Sequence, residues 1–337
     1  MAHSLFILGR NPVLSLLEII AYCRRKSISH KLVEYNEEIA LLDMNAFDDQ
    51  QAMKDLGGTV KIARPLADEA IVYKGTKNKI VYAVNYYKSD PQQVDKKIRQ
   101  LLAKEELKAT RRHGKSRVID PSKAKNLDME FVIYHNKIFL TSAISSPRSY
   151  KRRDANRPCY DPLKVISIRL AKILINISEA KREILDPFCG YGTILQEALL
   201  MNLIAMGVDK DDQFARKNLQ WLEQQYPAVK GKWQVFEGDA TDLSRFKKIE
   251  AVVTEPYLGP FHRGYPSKAE AQVIAKALTS LYTQTLHEIS HSVQGKVVII
   301  FPELKTRQKE NVVLDIQTML QKTKFQTVSP LPAIKMP

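Results

Sequence analysis

The chain has few of the features that mark disulfide-rich, zinc-binding or membrane-spanning proteins. It contains 3 cysteines among 337 residues, Cys23, Cys159 and Cys189, and no two of them form a CxxC pair. Their odd number and wide spacing argue against a disulfide scaffold and against a four-ligand zinc site made by this chain alone, so we expect no bound metal. The most apolar N-terminal stretch, Val13 to Tyr22, is too short to cross a bilayer and carries Glu18.

Signs of export and of disorder are equally scarce. A basic run, Arg24–Lys26, follows the apolar stretch and none precedes it, so the N-terminus does not resemble a signal peptide. With 44% hydrophobic and 26% charged residues, the composition is globular rather than disordered, collagen-like or low-complexity. We therefore expect a cytoplasmic protein, and the length favours two or three domains.

Basic residues outnumber acidic ones, giving a formal net charge of +15, and most of the excess lies in the first half. Residues 1–160 contain 29 Lys and Arg against 18 Asp and Glu, whereas the other 177 residues contain 23 against 19. Between Lys74 and Lys125 there are 15 basic and 5 acidic residues. Because lysine and arginine release counterions when they contact phosphates, this concentration favours a nucleic-acid partner over an ordinary solvated surface.

The spacing of apolar residues divides the first half of the chain into two α/β segments. The first begins with a strand over Ala2–Leu8 and a helix that starts at Asn11-Pro12, and continues as strand, strand, helix and short strand. The second begins near residue 67 and contains a helix from Pro91 to about Ala109 and a hairpin around His135-Asn136.

The third segment, from about Pro158, has the alternation that is typical of an open parallel sheet. Strand and helix patterns alternate from Glu183 to Phe301 and again over Lys309–Gln321, with a last short strand at Phe325–Val328. A polar, basic linker is expected before this segment, over residues 146–160.

Polar residues follow four successive strands of the third segment. Ligands of open α/β sheets bind beyond the carboxyl ends of the strands, so these residues are candidates for one site. In the first of these groups an acid precedes two glycines, which disfavours a pyrophosphate and favours a cationic ligand. S-adenosylmethionine is such a cation, and it also carries a ribose. The four groups are Asp186–Thr193 with Gly190 and Gly192, then Asp209, then Gly238–Ala240, and then Thr254–Pro260.

Asp186–Thr193 closely resembles the first motif of class I S-adenosylmethionine-dependent methyltransferases that modify amino groups of nucleic-acid bases. Three further segments, Leu56–Ile62, Tyr150–Pro158 and Arg169–Asn176, resemble the archaeal and eukaryotic tRNA (guanine-10-N2)-methyltransferases. The resemblance extends over nearly the whole chain. It implies an α/β protein with a ferredoxin-like domain, a THUMP domain that docks tRNA, and a Rossmann-like class I methyltransferase domain with a doubly wound sheet. The implied boundaries are 1–66, 67–145, the linker 146–160, and 161–337.

The resemblance also implies the roles of individual residues in cofactor binding. Asp186 and the Gly190/Gly192 turn are expected to hold the methionine part of S-adenosylmethionine, Asp209 the ribose, and Asp239 with Ala240 the adenine. Phe188 and Thr193 belong to the same motif and complete the expected set, whereas Cys189 is expected to be a packing residue.

The motif after the fourth strand departs from the family pattern, which is Asp-Pro-Pro-Tyr or a near relative. Here it is Thr254-Glu255-Pro256-Tyr257, so we align Thr254 with the usual acid and Glu255 with the first proline. A base amine is a poor nucleophile, and its N–H groups need a hydrogen-bond acceptor as positive charge develops. Either Thr254 or Glu255 can take this role, and both assignments stay open. Tyr257 is expected to stack on the target base.

The expected activity is methylation of the N2 amine of a tRNA guanosine, at position 10 by resemblance. Two alternatives remain: a base-amine methyltransferase acting on rRNA or DNA, and a non-catalytic tRNA-binding protein, which the altered fourth motif favours. We expect a monomer without a membrane partner, and the use of a small activating subunit, known in some relatives, stays open. The expected RNA contacts are Arg111, Arg112, Lys115, Arg117, Arg152 and Arg153.

Overall fold

The computed structural model describes residues 2–66, 71, 73, 75–89, 91–113, 124, 126–260, 264–329 and 331. The chain forms two compact units, which divide between Arg153 and Asp154. No helix in these described ranges is long and apolar enough to cross a membrane.

The first unit is built on an eight-stranded sheet. Asn11 caps the first helix by accepting a hydrogen bond from the Leu14 N–H at 3.0 Å, so the predicted helix start is confirmed. Its elements are β1 (Ala2–Leu8), α1 (Pro12–Arg25), β2 (His30–Tyr35), β3 (Ile39–Met44), α2 (Asp49–Asp55), β4 (Thr59–Pro65), β5 (Lys79–Tyr87), α3 (Pro91–Lys104), β6 (Lys108–Arg111), β7 (Met129–Tyr134) and β8 (Lys137–Ile144).

The first six elements have the βαββαβ order of a ferredoxin-like fold. The whole sheet has the order β2-β3-β1-β4-β8-β7-β5-β6, and each neighbouring pair among its first four strands is antiparallel. Strand β4 then pairs antiparallel with β8, while β5 runs parallel to both β6 and β7. The segments predicted as domains 1–66 and 67–145 therefore share one continuous sheet.

One local prediction in this half of the chain is wrong, and the segment expected to be a linker has helical structure. Helix α3 ends at Lys104 rather than near Ala109, because Glu106 adopts a positive φ of 55° and turns the chain into strand β6. The expected linker contains a helix, α4 (Pro147–Asn156), none of whose residues is buried. Proline at its first position is compatible with a helix start, and its polar composition gave no apolar stripe by which to predict a helix.

The second unit contains the predicted open sheet of five strands, in which every neighbouring pair is parallel. Its elements after α4 are α5 (Ile168–Ser178), β9 (Glu183–Asp186), α6 (Thr193–Leu200), β10 (Ile204–Asp209), α7 (Gln213–Gln225), β11 (Trp233–Glu237), β12 (Ala251–Thr254), α8 (Lys268–Ser292), β13 (Val297–Ile299), β14 (Leu304–Lys305), β15 (Asn311–Val312) and α9 (Ile316–Thr323).

The strand order reverses between β9 and β12, because the chain proceeds outward from β9 to β11 and then returns to β12 on the other side. Such a switch point is where ligands of doubly wound sheets bind. Buried side chains cover both faces of the sheet, with Leu174, Leu195 and Leu219 in one cluster and Leu185 and Leu286 in another. The sheet is therefore a two-sided core whose carboxyl edge is left for a site.

The C-terminal elements differ from the prediction. The pattern at Lys309–Gln321 resolves into the two-residue strand β15 and helix α9, which begins at Ile316 after the capping residue Asp315. Residues 325–329 form no strand. A four-residue pattern such as Phe325–Val328, with apolar residues only at its two ends, does not distinguish a strand from an irregular segment that packs its apolar side chains. Phe325 packs in this way against a core cluster.

Candidate functional site

Asp186 ends strand β9 at the switch point and is buried. Its Oδ1 atom accepts hydrogen bonds from the Thr254 hydroxyl at 2.6 Å and from the Phe188 N–H at 3.1 Å. Burial raises the pKa of this carboxyl to about 7, although both hydrogen bonds act in the opposite direction. Oδ2 has no hydrogen bond to any residue that the structure describes, so one oxygen remains for a ligand.

The glycine turn after β9 uses conformations that favour glycine. Gly190 has φ of +50° and Gly192 has φ of +75°, and Gly192 is the N-cap of helix α6. A Cβ atom at Gly192 would lie 3.4 Å from Ala215 of helix α7. The turn therefore brings backbone close to the carboxyl edge of the sheet, as the sequence pattern predicts.

Asp209 ends β10 and connects this strand to the glycine turn. Its Oδ2 atom accepts the Gly190 N–H at 2.7 Å, and its Oδ1 atom accepts the Asp211 N–H at 3.1 Å. A carboxylate has about four lone-pair directions, so both oxygens can still accept hydroxyl groups of a ribose. Asp209 thus lies beside the glycine turn, which follows shortly after Asp186 in the chain.

Asp239 follows β11 and is more exposed, with 41% of its side chain accessible. It accepts hydrogen bonds from the N–H and hydroxyl of Thr241, and Lys210 forms an ion pair with it at 3.0 Å. The Thr241 N–H and the Lys210 ammonium lower the pKa of this carboxyl. Ala240 beside it is buried.

The motif after β12 separates into a buried and an exposed part. Thr254 is fully buried and donates its hydroxyl to Asp186, so its side chain faces the neighbouring strand β9. Pro256 is buried, whereas Tyr257 is 54% exposed and its carbonyl accepts the Tyr282 hydroxyl at 2.6 Å. Gly259, with φ of +108°, lets the loop turn against Ile274 of helix α8.

Glu255 differs from the other carboxylates at this edge. It is half-buried, and burial raises the pKa of its carboxyl. It has no hydrogen bond or ion pair to any residue within the described ranges. A half-buried carboxylate without a partner, one residue beyond the strand, can accept protons or hydrogen bonds from a ligand.

The expected RNA-contacting cations have different environments. Arg111 is engaged within its own unit, where its guanidinium bonds to Asp95 and to the Tyr86 hydroxyl, the latter at 2.9 Å. Arg112 and Arg152 are exposed, and Arg153 is partly buried. Lys115 and Arg117 lie outside the described residues.

Three contributors to the site region were missed in the sequence. Lys210 pairs with Asp239, and Arg157 donates to the Thr193 hydroxyl at 2.9 Å. Gly207 of β10 is required by packing, because a Cβ atom there would lie 2.7 Å from Leu195 and 2.9 Å from Cys189. A glycine in the middle of a β-strand is the signal that could have identified this close approach.

Cys189 itself is buried, as expected of a packing residue, and burial raises the pKa of its thiol.

Comparison with known proteins supports the same region. Residues 156–312 match the family described as RMKL-like, methyltransferase domain. The tRNA (guanine(10)-N2)-dimethyltransferase of Methanothermobacter thermautotrophicus is 35% identical over 136 residues, which is 38% of this chain and 38% of that protein. The protein of the same name from Pyrococcus abyssi is 30% identical over 161 residues, 46% of this chain and 44% of its own length. This chain therefore spans less than half the length of these curated relatives.

A solved structure is similar over a larger part of the chain. TrmN from Thermus thermophilus covers 88% of both chains with a TM-score of 0.46 and 14% sequence identity. The family match itself spans all five strands of the parallel sheet, the glycine turn and the motif after β12. Residues 156–312 of this chain are thus similar to the RMKL-like methyltransferase domain family.

Proposed function

We propose that the chain is an S-adenosylmethionine-dependent methyltransferase that modifies the N2 amine of a tRNA guanosine. The observation that carries this proposal is Asp186, a buried carboxylate at the switch point whose Oδ2 atom has no partner among the described residues. The name shared by the relatives, tRNA (guanine(10)-N2)-dimethyltransferase, supports guanosine 10 of tRNA as the substrate. Addition of one or of two methyl groups is compatible with the site.

The donor set fits S-adenosylmethionine. Asp186 offers a buried negative charge to a cationic group, and a pyrophosphate would be repelled from the same position. Asp209 can accept the ribose hydroxyls, and the partly exposed Asp239 offers a hydrogen-bond acceptor to the adenine. When bound, S-adenosylmethionine supplies an electrophilic methyl group on a sulfonium.

Glu255 is the better candidate for the residue that accepts hydrogen bonds from the guanine amine. Thr254 donates its hydroxyl to Asp186 and is fully buried, whereas Glu255 is half-buried without a partner in the described part of the chain. As the amine nitrogen forms its bond to the methyl group, positive charge develops on it, and a carboxylate at hydrogen-bond distance stabilises that charge. Burial raises the pKa of Glu255, which makes it a stronger base for the proton that the amine releases.

Tyr257 supports the idea that the base is extruded into this edge. Its ring is exposed rather than part of the core, while its carbonyl is fixed by Tyr282 and the preceding Pro256 is buried. An aromatic face held in this way can stack on a base that has left its helix.

Basic side chains of the first 156 residues are the proposed contacts for the tRNA backbone. Helix α4 presents Arg148, Lys151 and Arg152, which are all exposed and lie on one face because they are spaced by three and four residues. Arg112 adds an exposed cation at the end of β6. Arg111 is engaged with Asp95, so we assign it to positioning β6 and α3 rather than to RNA.

The function is tested with the full chain, labelled S-adenosylmethionine and tRNA that lacks modifications, followed by nucleoside analysis. N2-methylated guanosine at position 10 is expected. Glu255→Gln should lower kcat by at least about 100-fold, whereas Thr254→Val, which leaves the acceptor in place, should keep kcat within about tenfold at pH 9. Binding of S-adenosylhomocysteine without methyl transfer to tRNA, rRNA or DNA would replace the proposal with a non-catalytic tRNA-binding protein. Transfer to rRNA or DNA alone would identify the other base-amine alternative.

A further inference from the structure

Asn218 of helix α7 is fully buried, and its amide contacts two separate stretches of chain. Its Oδ1 atom accepts the Cys159 N–H at 2.9 Å. Its Nδ2 atom donates to the carbonyl of Cys159 and to the carbonyl of Tyr191, both at 2.9 Å. One side chain thus joins the segment after α4 to the middle residue of the glycine turn.

Tyr191 is held by helix α7 in a second way. Its ring stacks on Phe214, with ring centroids 4.8 Å apart and planes 9° from parallel. Phe214 and Asn218 are four residues apart and therefore lie on one face of α7. The residue between Gly190 and Gly192 is consequently fixed through both its side chain and its carbonyl.

The segment Arg157–Tyr160 also contacts the far end of the turn. Arg157 is buried and donates to the hydroxyl of Thr193, the first residue of helix α6, at 2.9 Å. Its guanidinium lies 4.6 Å from the ring centre of Tyr160. This segment is therefore attached to the turn at Thr193 directly and at Tyr191 through Asn218.

We propose that Asn218 is a positioning residue for cofactor binding, which sets the Gly190–Gly192 turn by holding the Tyr191 carbonyl against the segment Arg157–Tyr160. The inference rests on the proposed function, since it assigns S-adenosylmethionine to that turn. Asn218 touches neither the cofactor nor the substrate. It acts by placing the backbone of the turn, and a shift of that backbone also moves the Gly190 N–H away from Asp209.

Asn218→Asp tests this role with nearly the same side-chain shape. The ionised carboxylate still accepts the Cys159 N–H, but it loses both donors and places a negative charge against two carbonyl oxygens. Protonation of the introduced carboxylate restores one donor. Relative to wild type at the same pH, we expect the Kd for S-adenosylhomocysteine to rise about tenfold at pH 9 and to return to within about threefold at pH 6.

Two further variants separate positioning from general damage. Asn202→Asp introduces the same change at an exposed position of the same unit and should leave the Kd ratio near one at both pH values. Phe214→Leu removes the ring that stacks on Tyr191 without introducing a charge, and should raise the Kd about threefold at both pH values. This variant keeps the test valid if Asn218→Asp does not fold.

The outcomes are read by calorimetric titration of the full chain with S-adenosylhomocysteine. If wild type binds and both Asn218→Asp and Phe214→Leu bind equally well at pH 9, Asn218 has no positioning role and the proposed function is unaffected. An equal loss in Asn202→Asp would mean that any added negative charge in this unit weakens binding, which also overturns the inference. If wild type itself does not bind, the proposed function fails instead.

Discussion

Each unit of this protein buries a carboxylate in its sheet, but the two carboxylates have opposite surroundings. Glu130 of the first unit accepts hydrogen bonds from the Lys61 ammonium at 2.7 Å and from the Asn85 amide at 2.8 Å. Asp186 of the second unit has only a hydroxyl and a backbone N–H, and no cation among the described residues. Burying an unpaired carboxylate is costly, so its pKa rises to about 7.

We interpret the buried charge of Glu130 as structural and the buried charge of Asp186 as available to a ligand. Lys61 neutralises the charge of Glu130 within the fold, although the Glu130 Oε2 atom is buried without a hydrogen-bond partner among the described residues. Asp186 carries a destabilising charge that a cationic ligand can neutralise, which is typical of functional sites. The same chemical group is therefore paired with a cation in one unit and lacks a cation in the other, where we propose that it binds a ligand.

The largest effect is expected from breaking the structural pair. Lys61→Met leaves the Glu130 carboxylate buried without its cation, which should destabilise the first unit by about 3–5 kcal/mol. Denaturant unfolding measures this, and the affinity of the second unit for S-adenosylhomocysteine should stay within about twofold. Adding Glu130→Gln should recover part of the loss because it removes the unpaired charge. A stability loss below about 1 kcal/mol would show that Glu130 does not depend on Lys61.

Asp186→Asn should have two effects of opposite sign. The pKa of Asp186 is higher in the folded state than its ordinary value, so the protonated form favours folding and stability falls as pH rises from about 4 to about 7. Asparagine stays neutral, so the ligand-free variant should be about 1–4 kcal/mol more stable than wild type at pH 8 and equal to it at pH 4. Binding of S-adenosylhomocysteine at pH 8 should weaken by about 10- to 100-fold.

Asp239→Asn is the matched control for that variant. Because Thr241 and Lys210 lower the pKa of Asp239, its ionised form favours folding, and the substitution should slightly reduce stability at pH 8. If both substitutions changed the stability at pH 8 in the same direction, the assignment of Asp186 as an uncompensated charge would be contradicted.

On the proposed function, the wild-type protein should bind S-adenosylhomocysteine less tightly in acid. With a pKa of about 7, Asp186 is mostly ionised at pH 8 and mostly protonated at pH 6, so the affinity for S-adenosylhomocysteine should fall about tenfold between them. Asp186→Asn should show no such dependence. Calorimetric titrations of both proteins between about pH 6 and about pH 8 measure this difference in affinity. If the affinity of both proteins changed with pH in the same way, the titration would belong to another group.

The smallest effect is expected at Thr254. Thr254→Val removes the hydroxyl that donates to Asp186 Oδ1 and keeps the side-chain shape, which should raise the pKa of Asp186 further. At pH 7.5 the affinity should fall by about 0.5–1.5 kcal/mol, and at pH 9 it should approach wild type. Thr279→Val, which removes a hydroxyl bonded within helix α8, is the control. Loss of turnover at pH 9 with normal affinity would instead assign Thr254 to the substrate amine.

Much of the fold and part of the site were predictable from local sequence. Periodicity identified the strands of the parallel sheet, and the order of polar residues after them placed Asp186, Asp209 and Asp239 at one edge. This succeeds because parallel strands align their carboxyl ends, so that residues distant in sequence meet at one edge. Helix α4 escaped prediction since none of its residues is buried and no apolar stripe marks it.

The sequence by itself determined most of the elements, their order and the positions of the acids, because these depend on side-chain periodicity and turn chemistry that are local. The tertiary structure decided which groups are paired. Thr254 meets Asp186 across 68 positions of sequence, and Arg111 meets Asp95 rather than a surface phosphate. Pairing across neighbouring strands and helices depends on register and burial, which no single segment encodes, and it is this pairing that leaves Asp186 and Glu255 available for chemistry.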